Sequence, residues 1–177
     1  MASRVIPVEP FDLVVFGGTG DLARRKILPG LYRRFVAGQI PDTSRIIGAA
    51  RGEMDDAGFR AFVADTLGEF LPAAKREGDT VARFLAHLHY VPLDAKGEGG
   101  WDGLARLVRR DVVQAFYFSV SPALFGDHGT RAVCQRRRQI GVPVRVLTAE
   151  GNKEVAGAGV AAVQHRLDLE KAPILIK

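Results

Sequence analysis

The chain has 177 residues, of which 47% are hydrophobic and 25% charged, as in an ordinary soluble globular domain. Its single cysteine, Cys134, excludes an intrachain disulfide framework and a cysteine-based zinc site. The net charge of +5 favours anionic ligands, but it does not by itself separate a phosphorylated ligand from nucleic acid. No apolar run reaches the length of a membrane span, and the opening residues lack the apolar core of a secretory signal. We therefore expect a cytoplasmic protein.

Strands and helices alternate along the chain. Strands are predicted at 11–16, 45–50, 89–93, 114–120 and 142–147, and helices at about 21–37, 55–70, 80–88, 101–109, 123–139 and 153–167. This alternation predicts an α/β fold, a doubly wound and mostly parallel sheet of the Rossmann type. We expect residues 1–10 to form a loose arm, 11–150 the dinucleotide-binding domain and 151–177 a diverged tail.

The first helix is predicted to be amphipathic. Pro29 is expected to kink it or end it early, and Gly38 to cap its carboxyl end. Asp55 is the predicted N-cap of the second helix. In the first helix, the residues expected on the apolar side are Leu22, Ala23, Ile27, Leu28, Leu31, Phe35 and Val36, and those expected mainly on the polar side are Arg24, Arg25, Arg33 and Arg34.

The turn between the first strand and the first helix, Gly17–Asp21, carries a phosphate-binding signal. The spacing Gly17-x-x-Gly20-x-x-Ala23 is a variant of the dinucleotide fingerprint. Gly17 permits the tight turn, Gly20 lets the backbone approach a pyrophosphate, and Ala23 lets the helix pack closely on the strand. The N–H groups and the dipole of the helix then favour an anion at this point. The alternative is a purely structural glycine turn. The GxxxxGK[ST] pattern is absent from the sequence, which disfavours a P-loop nucleotidase.

The residue after the second strand bears on the choice of cofactor. NAD-binding domains usually place an acidic residue there for the ribose 2′-hydroxyl. Here the strand is followed by Arg51, whose guanidinium suits a 2′-phosphate, while Glu53 is the candidate that would favour NAD. We therefore expect NADP rather than NAD. The alternative for Arg51 is a solvated loop cation.

Four segments of the sequence resemble the N-terminal coenzyme domain of the glucose-6-phosphate 1-dehydrogenase family. They are FGGTGDLARRKILPGLYRRFVAGQIP, similar to the GxxGDLAxRK segment and its helix; SRIIGAAR, similar to the second strand; HYVPLDA, similar to the third; and AFYFSVSPALFG, similar to the segment beside the nicotinamide. The resemblance covers about residues 10–126. It implies an oxidoreductase of the pentose phosphate pathway, which oxidises glucose 6-phosphate at C1 and passes hydride to NADP.

The resemblance also implies the positions of the cofactor-binding residues. Arg51 would bind the 2′-phosphate, Asp94 and Ala95 would approach the adenosine side, and Ser121 and Pro122 would lie near the nicotinamide. For Asp94 the alternative is an ordinary turn residue at a strand end. The residues implied to line the pyrophosphate are Gly17, Gly18, Thr19, Gly20, Asp21, Leu22 and Ala23.

After Gly126 the sequence departs from the family pattern. The family's Glu-Lys-Pro motif is missing, with Glu150 at the position of its lysine, and the Arg-Ile-Asp-His-Tyr block that carries its general base is absent. We therefore expect no catalytic residue in this chain, which would bind NADP but be inactive. Glucose 6-phosphate would be a partner only if a substrate domain is supplied elsewhere. The segment 128–177 suggests a truncated or rearranged gene product.

Two other function classes fit the sequence less well than a dehydrogenase. A short-chain reductase needs a Tyr-x-x-x-Lys pair, and the residues four positions after the tyrosines are Val36, Asp94 and Ser121. A nucleic-acid-binding module would use Arg131 and the arginines at 136–138, but no aromatic residues interleave with them. His87-x-His89 lacks an evident third ligand, so no metal is expected. We expect no nucleic-acid partner and no membrane partner.

Overall fold

The computed structural model describes residues 8–76, 78–95, 97 and 99–118 and the backbone of a strand at 144–148. Several predictions lie outside these residues: the helices at 123–139 and 153–167, the cofactor residues Ser121 and Pro122, most of the proposed arm and all of the proposed tail. The division into arm, domain and tail therefore stays a prediction.

Within the described residues, five parallel strands form one sheet in the order β3-β2-β1-β4-β5. Their bounds are β1 Phe11–Phe16, β2 Arg45–Ala50, β3 Leu88–Pro92, β4 Val113–Phe118 and β5 Val144–Thr148. The first two strands match the predicted bounds, while β3 begins and ends one residue earlier than predicted. The order reverses direction at β1, which lies between β2 and β4, and this confirms the doubly wound parallel fold.

Four α-helices connect the strands of the described chain: α1 Leu28–Val36, α2 Asp56–Phe70, α3 Gly78–Ala86 and α4 Trp101–Leu107. Two shorter helical segments accompany them, a π-helical turn at Ala23–Ile27 and a 3-10 turn at Ala73–Lys75. The predicted N-cap is confirmed, because the Asp55 carboxylate accepts a hydrogen bond of 2.7 Å from the Gly58 N–H. The predicted glycine at the end of α1 is confirmed as well, since Gly38 has a φ of 68° and its N–H bonds the Phe35 carbonyl.

Pro29 does not end the first helix, which continues to Val36. The turn before it widens instead, and the Leu28 N–H donates to the carbonyl of Ala23, five residues back. Proline has no N–H, and its ring crowds the carbonyl four residues earlier in a regular α-helix. A π-helical turn at this point relieves that conflict.

The burial of the first helix corrects three predicted positions. Leu22 and Val36 were expected on the apolar side, but their exposures are 39% and 55%. Arg34 was expected mainly on the polar side, but it is buried, and its Nη1 donates a hydrogen bond of 2.9 Å to Gln39 Oε1. The π-helical turn breaks the single 3.6-residue period on which the prediction depended, and the chain reversal at Gly38 brings Gln39 against Arg34.

The sheet is covered on both faces. Leu13 and Val15 of β1 pack into one apolar cluster with side chains of α1, α2 and α3, whereas Val14 and Phe16 pack into a second cluster with α4. Successive side chains of a strand point to opposite faces, so one apolar strand supplies both clusters. The carboxyl end of β1 is thereby fixed between two packed layers, and the glycine turn begins at that end.

Candidate functional site

The glycine turn is hydrogen-bonded to the neighbouring strand. Gly17 has a left-handed backbone with φ 74°, and its N–H donates to the Ala49 carbonyl at 2.8 Å. The Gly18 N–H reaches the same carbonyl at 3.3 Å. A Cβ on Gly18 would lie 2.9 Å from the Cα of Gly48, so this position has no room for a side chain. The N–H groups of Gly17 and Gly18 therefore both donate to β2. These two glycines shape the site, and their N–H groups are not available to a ligand.

Three N–H groups at the start of the helix, those of residues 21–23, are available to an anion. The Gly20 N–H donates to the Gly17 carbonyl at 2.8 Å, and the first helical hydrogen bond runs from Arg24 N–H to the Gly20 carbonyl at 2.9 Å. The N–H groups of Asp21, Leu22 and Ala23 precede that bond and have no acceptor within the helix. They lie at the positive end of the helix dipole, which is the geometry that favours a phosphate.

The charged groups around this helix start are partly neutralised. Arg25 Nε lies 2.7 Å from the Asp21 carboxylate, one helical turn away, and both side chains are largely exposed. Arg24 Nη2 lies 2.7 Å from Glu69 of α2, with its guanidinium over the ring of Phe62. The Asp21 carboxylate is thus paired with a cation, which reduces its repulsion of an incoming anion.

Arg51 directly follows β2 and is exposed. Ala49, two residues before it, pairs with Phe16, which immediately precedes the glycine turn. Among the described residues, no hydrogen-bond acceptor and no carboxylate engages the Arg51 guanidinium. The structure therefore presents an available cation at the same sheet edge as the helix start.

The third predicted contact region follows β3. Asp94 is exposed, its N–H donates to the Gly99 carbonyl at 3.3 Å, and its carbonyl accepts from the Gly97 N–H at 3.1 Å. Ala95 follows it and packs partly against the α4 cluster. Both residues lie at the carboxyl edge of the sheet, because β3 runs parallel to β2 and β1. Ser121 and Pro122 follow β4 but lie outside the described residues.

The two histidines singled out in the sequence bind different protein groups. His87 Nδ1 is 2.8 Å from the Ser44 carbonyl, and His89 Nδ1 is 2.8 Å from Asp56 Oδ2. Over the described part of the chain, no three His, Cys, Asp or Glu side chains come together as metal ligands. Nor is any helix in that part long and apolar enough to cross a bilayer.

A cavity of about 320 Å³ lies away from the glycine turn, between α1 and the segment that joins α2 to α3. Tyr32, Arg33, Leu71 and Lys75 are among the residues that line it. None of the cofactor-binding residues predicted within the described part of the chain lines it, so it is separate from the site that those residues form.

Two residues that support the candidate site, Gly48 and Tyr90, were not predicted from the sequence. Gly48 lies inside β2, and the absence of a side chain there makes room for both Gly18 and the ring of Phe59. A glycine within an apolar strand is itself a signal of close approach. Tyr90 of β3 donates to carbonyls on both sides of Arg51, at Ala50 and Gly52. That contact depends on the β2–β3 register, which the sequence does not contain.

The strand order and the glycine turn at the switch point define a Rossmann-type α/β domain, and the N–H groups at the helix start suit the phosphates of a dinucleotide. A family model described as "Glucose-6-phosphate dehydrogenase, NAD binding domain" matches residues 14–141. The chain belongs to this family.

Two curated relatives agree with this assignment. Over 129 residues the chain is 49% identical to glucose-6-phosphate 1-dehydrogenase of Rhizobium meliloti (strain 1021), covering 72% of this chain and 26% of that protein. It is 50% identical over 124 residues to the enzyme of the same name from Gluconobacter oxydans (strain 621H), covering 68% of this chain and 25% of that protein. The chain thus spans about a quarter of the length of these relatives.

Among solved structures, glucose-6-phosphate 1-dehydrogenase from Mycobacterium avium superposes with a TM-score of 0.67 at 22% identity, covering 78% of this chain and 29% of that one. A glucose-6-phosphate dehydrogenase in complex with its substrate glucose-6-phosphate gives 0.65 at 23% identity, covering 82% and 31%. At these identities the structural likeness supports the fold alone.

Proposed function

We propose that the chain is the NADP-binding part of a glucose-6-phosphate dehydrogenase-type oxidoreductase. The observation that carries the choice of NADP is Arg51, an exposed cation with no acceptor among the described residues. It follows the strand whose Ala49 carbonyl anchors the glycine turn. A guanidinium binds a phosphate through charge-assisted hydrogen bonds, whereas a hydroxyl offers it no opposite charge.

Different residues would contact different parts of the cofactor. The N–H groups of Asp21, Leu22 and Ala23 fit the pyrophosphate, with Gly17–Gly20 shaping the approach. Arg51 fits the 2′-phosphate, and Asp94 and Ala95 are proposed beside the adenosine. Ser121 and Pro122 are proposed beside the nicotinamide on the sequence resemblance alone. When bound, the cofactor would supply the hydride acceptor.

The reaction of the complete enzyme would be oxidation of glucose 6-phosphate at C1, as the names of the relatives indicate. Within the described residues the two histidines lie away from the carboxyl edge of the sheet: His87 precedes β3 and bonds the Ser44 carbonyl, and His89 is the second residue of β3 and bonds Asp56. We therefore propose that the base and the sugar-binding residues come from outside the described chain. The cytoplasmic location stays a prediction.

The test compares NADP and NAD binding to the 177-residue chain by fluorescence titration of the reduced cofactors. The parent chain is expected to bind the NADP form more tightly. Replacing Arg51→Ala should weaken NADP binding by about tenfold or more, since a hydrogen bond to a charged group contributes about 1.5–3 kcal/mol. NAD binding should change little, because NAD lacks the 2′-phosphate.

The matched control is Arg33→Ala, which also removes an exposed arginine. Arg33 lies in α1 and lines the cavity that is separate from the candidate site, so this variant should leave both affinities unchanged. Equal weakening of both cofactors by Arg51→Ala would show that Arg51 does not read the 2′-phosphate. Absence of saturable binding of either cofactor below millimolar concentration would contradict the dinucleotide site itself.

A further inference from the structure

The turn that carries Arg51 is tied to the neighbouring strand by one tyrosine. The Tyr90 hydroxyl lies 2.7 Å from the Gly52 carbonyl and 3.2 Å from the Ala50 carbonyl, so a single proton is shared between acceptors on either side of Arg51. Ala50 has a second donor, the Leu93 N–H at 2.8 Å. Within the described chain, Tyr90 is the donor to Gly52, so it fixes the far side of the turn.

Tyr90 is itself rigidly held. Its ring is buried and packs 5.3 Å from the ring of Phe59, and its backbone N–H donates to Asp56 Oδ1 at 2.7 Å. Arg51 and Gly52, in contrast, are exposed. A fixed donor in the core therefore constrains an exposed turn whose own side chains contribute little packing.

The hydroxyl remains a donor under physiological conditions. Burial, together with the nearby carboxylate of Glu53, raises the pKa of Tyr90 above its ordinary value of 10.0. A protonated hydroxyl can donate to a carbonyl, and a phenolate cannot.

We infer that Tyr90 is a positioning residue for cofactor selectivity: it holds the 50–52 turn so that Arg51 is aimed at the 2′-phosphate. This rests on the proposed function of Arg51. Binding of a phosphate by a guanidinium depends on where the fork of N–H groups is placed, so a turn free to move would lower the affinity for NADP. NAD, which does not use Arg51, would be affected little.

The test is Tyr90→Phe, which removes the hydroxyl and keeps the ring. Loss of one shared hydrogen bond is expected to weaken NADP binding about three- to tenfold while NAD binding stays within about twofold. NAD binding to the same variant reports whether the glycine turn is still folded. The matched control is Tyr32→Phe, the same chemical change in another part of the core, where the ring packs against Phe84. It should leave the ratio of the two affinities unchanged.

A double-mutant cycle separates this inference from the proposed function. In the Arg51→Ala background, Tyr90→Phe should produce no further loss of NADP binding, because the group it positions is gone. If Arg51→Ala abolishes the NADP preference and Tyr90→Phe leaves that preference intact, or lowers both affinities equally, the positioning role is wrong and the function of Arg51 stands. If the parent chain binds both cofactors equally, both proposals are wrong.

Discussion

Gly48 illustrates how a single absent side chain supports the cofactor turn. A Cβ at this position would overlap the ring of Phe59 and lie within 2.8 Å of two of its other ring carbons. From the other side, the Cα of Gly48 is the atom that Gly18 approaches. The same glycine therefore leaves room for the ring of Phe59 from α2 and for the glycine turn at Gly18.

We predict that Gly48→Ala destabilises the chain by about 1–3 kcal/mol, because an added methyl group must displace a buried aromatic ring. The measurement is the free energy of unfolding from urea titration followed by circular dichroism. Pairing it with Phe59→Leu tests the mechanism, since the smaller side chain leaves room for the methyl group. The double variant should lose less stability than the sum of the two single variants.

Gly68→Ala is the control for this prediction. Gly68 is exposed on α2, and a Cβ there would meet Arg76 at an ordinary 3.6 Å. The substitution should stabilise the chain by about 0.5–1 kcal/mol through helix propensity alone. If Gly48→Ala were as harmless as Gly68→Ala, the close approach of Phe59 would not determine the choice of glycine.

At the scale of elements, a buried ion pair joins β1 to the segment between α4 and β4. Asp12 is fully buried, and its carboxylate accepts from Arg109 Nη2 at 2.6 Å, from Arg109 Nε at 3.1 Å and from the Arg109 backbone N–H at 2.7 Å. The Arg109 carbonyl in turn accepts from the side-chain amide of Gln114 in β4. This network lies at the amino end of the sheet, opposite the glycine turn, and its role is structural.

Replacing Arg109→Met should destabilise the chain by about 3 kcal/mol or more, because it leaves a buried carboxylate without its cation. Arg110→Met is the matched control. Arg110 is the exposed neighbour, and its loss should change stability by less than about 0.5 kcal/mol. Urea unfolding measures both. Adding Asp12→Asn to Arg109→Met should recover part of the loss, and equal costs for Arg109→Met and Arg110→Met would contradict a stabilising role of the pair.

Elements with a strong local signal could be predicted from the sequence, and contacts between elements could not. The runs FDLVVF and RIIGAA end at glycine or charge, and their strand bounds match the structure. The π-helical turn before Pro29 was missed because it depends on a hydrogen bond to the fifth residue back, which leaves no periodic signature. The burial of Asp12 and Arg34 depends on partners at Arg109 and Gln39 that only the folded chain brings near.

In the candidate site, too, the features with a local sequence signal could be predicted, and the contact between strands could not. The N–H donors of the turn follow from the glycine spacing, and Arg51 follows from the end of β2. The tether from Tyr90 does not, because Tyr90 is 38 residues from Gly52 in sequence and meets it only through the β2–β3 register.

On the scale of the whole molecule, two tyrosines on different strands share one face of the sheet. Tyr90 of β3 and Tyr117 of β4 are both buried in the cluster covered by α1, α2 and α3. Burial raises the pKa of Tyr117, and burial together with Glu53 raises that of Tyr90, above the value of 10.0 that each has in an unfolded chain. Ionising either one places a charge in this apolar layer.

The stability of the chain should therefore fall on the alkaline side. Well below pH 10.0 both tyrosines are protonated in the folded and unfolded chains alike, and the contribution is fully present. As pH rises above that value, the unfolded chain loses these protons first and binds fewer of them than the folded chain, so the free energy of unfolding decreases. Urea unfolding at about pH 8 and about pH 11, with tyrosinate absorbance recorded in parallel, measures the decrease. The variant Tyr117→Phe removes one of the two groups, so its free energy of unfolding should decrease less over the same pH range. An equal decrease in parent and variant would mean that Tyr117 does not contribute.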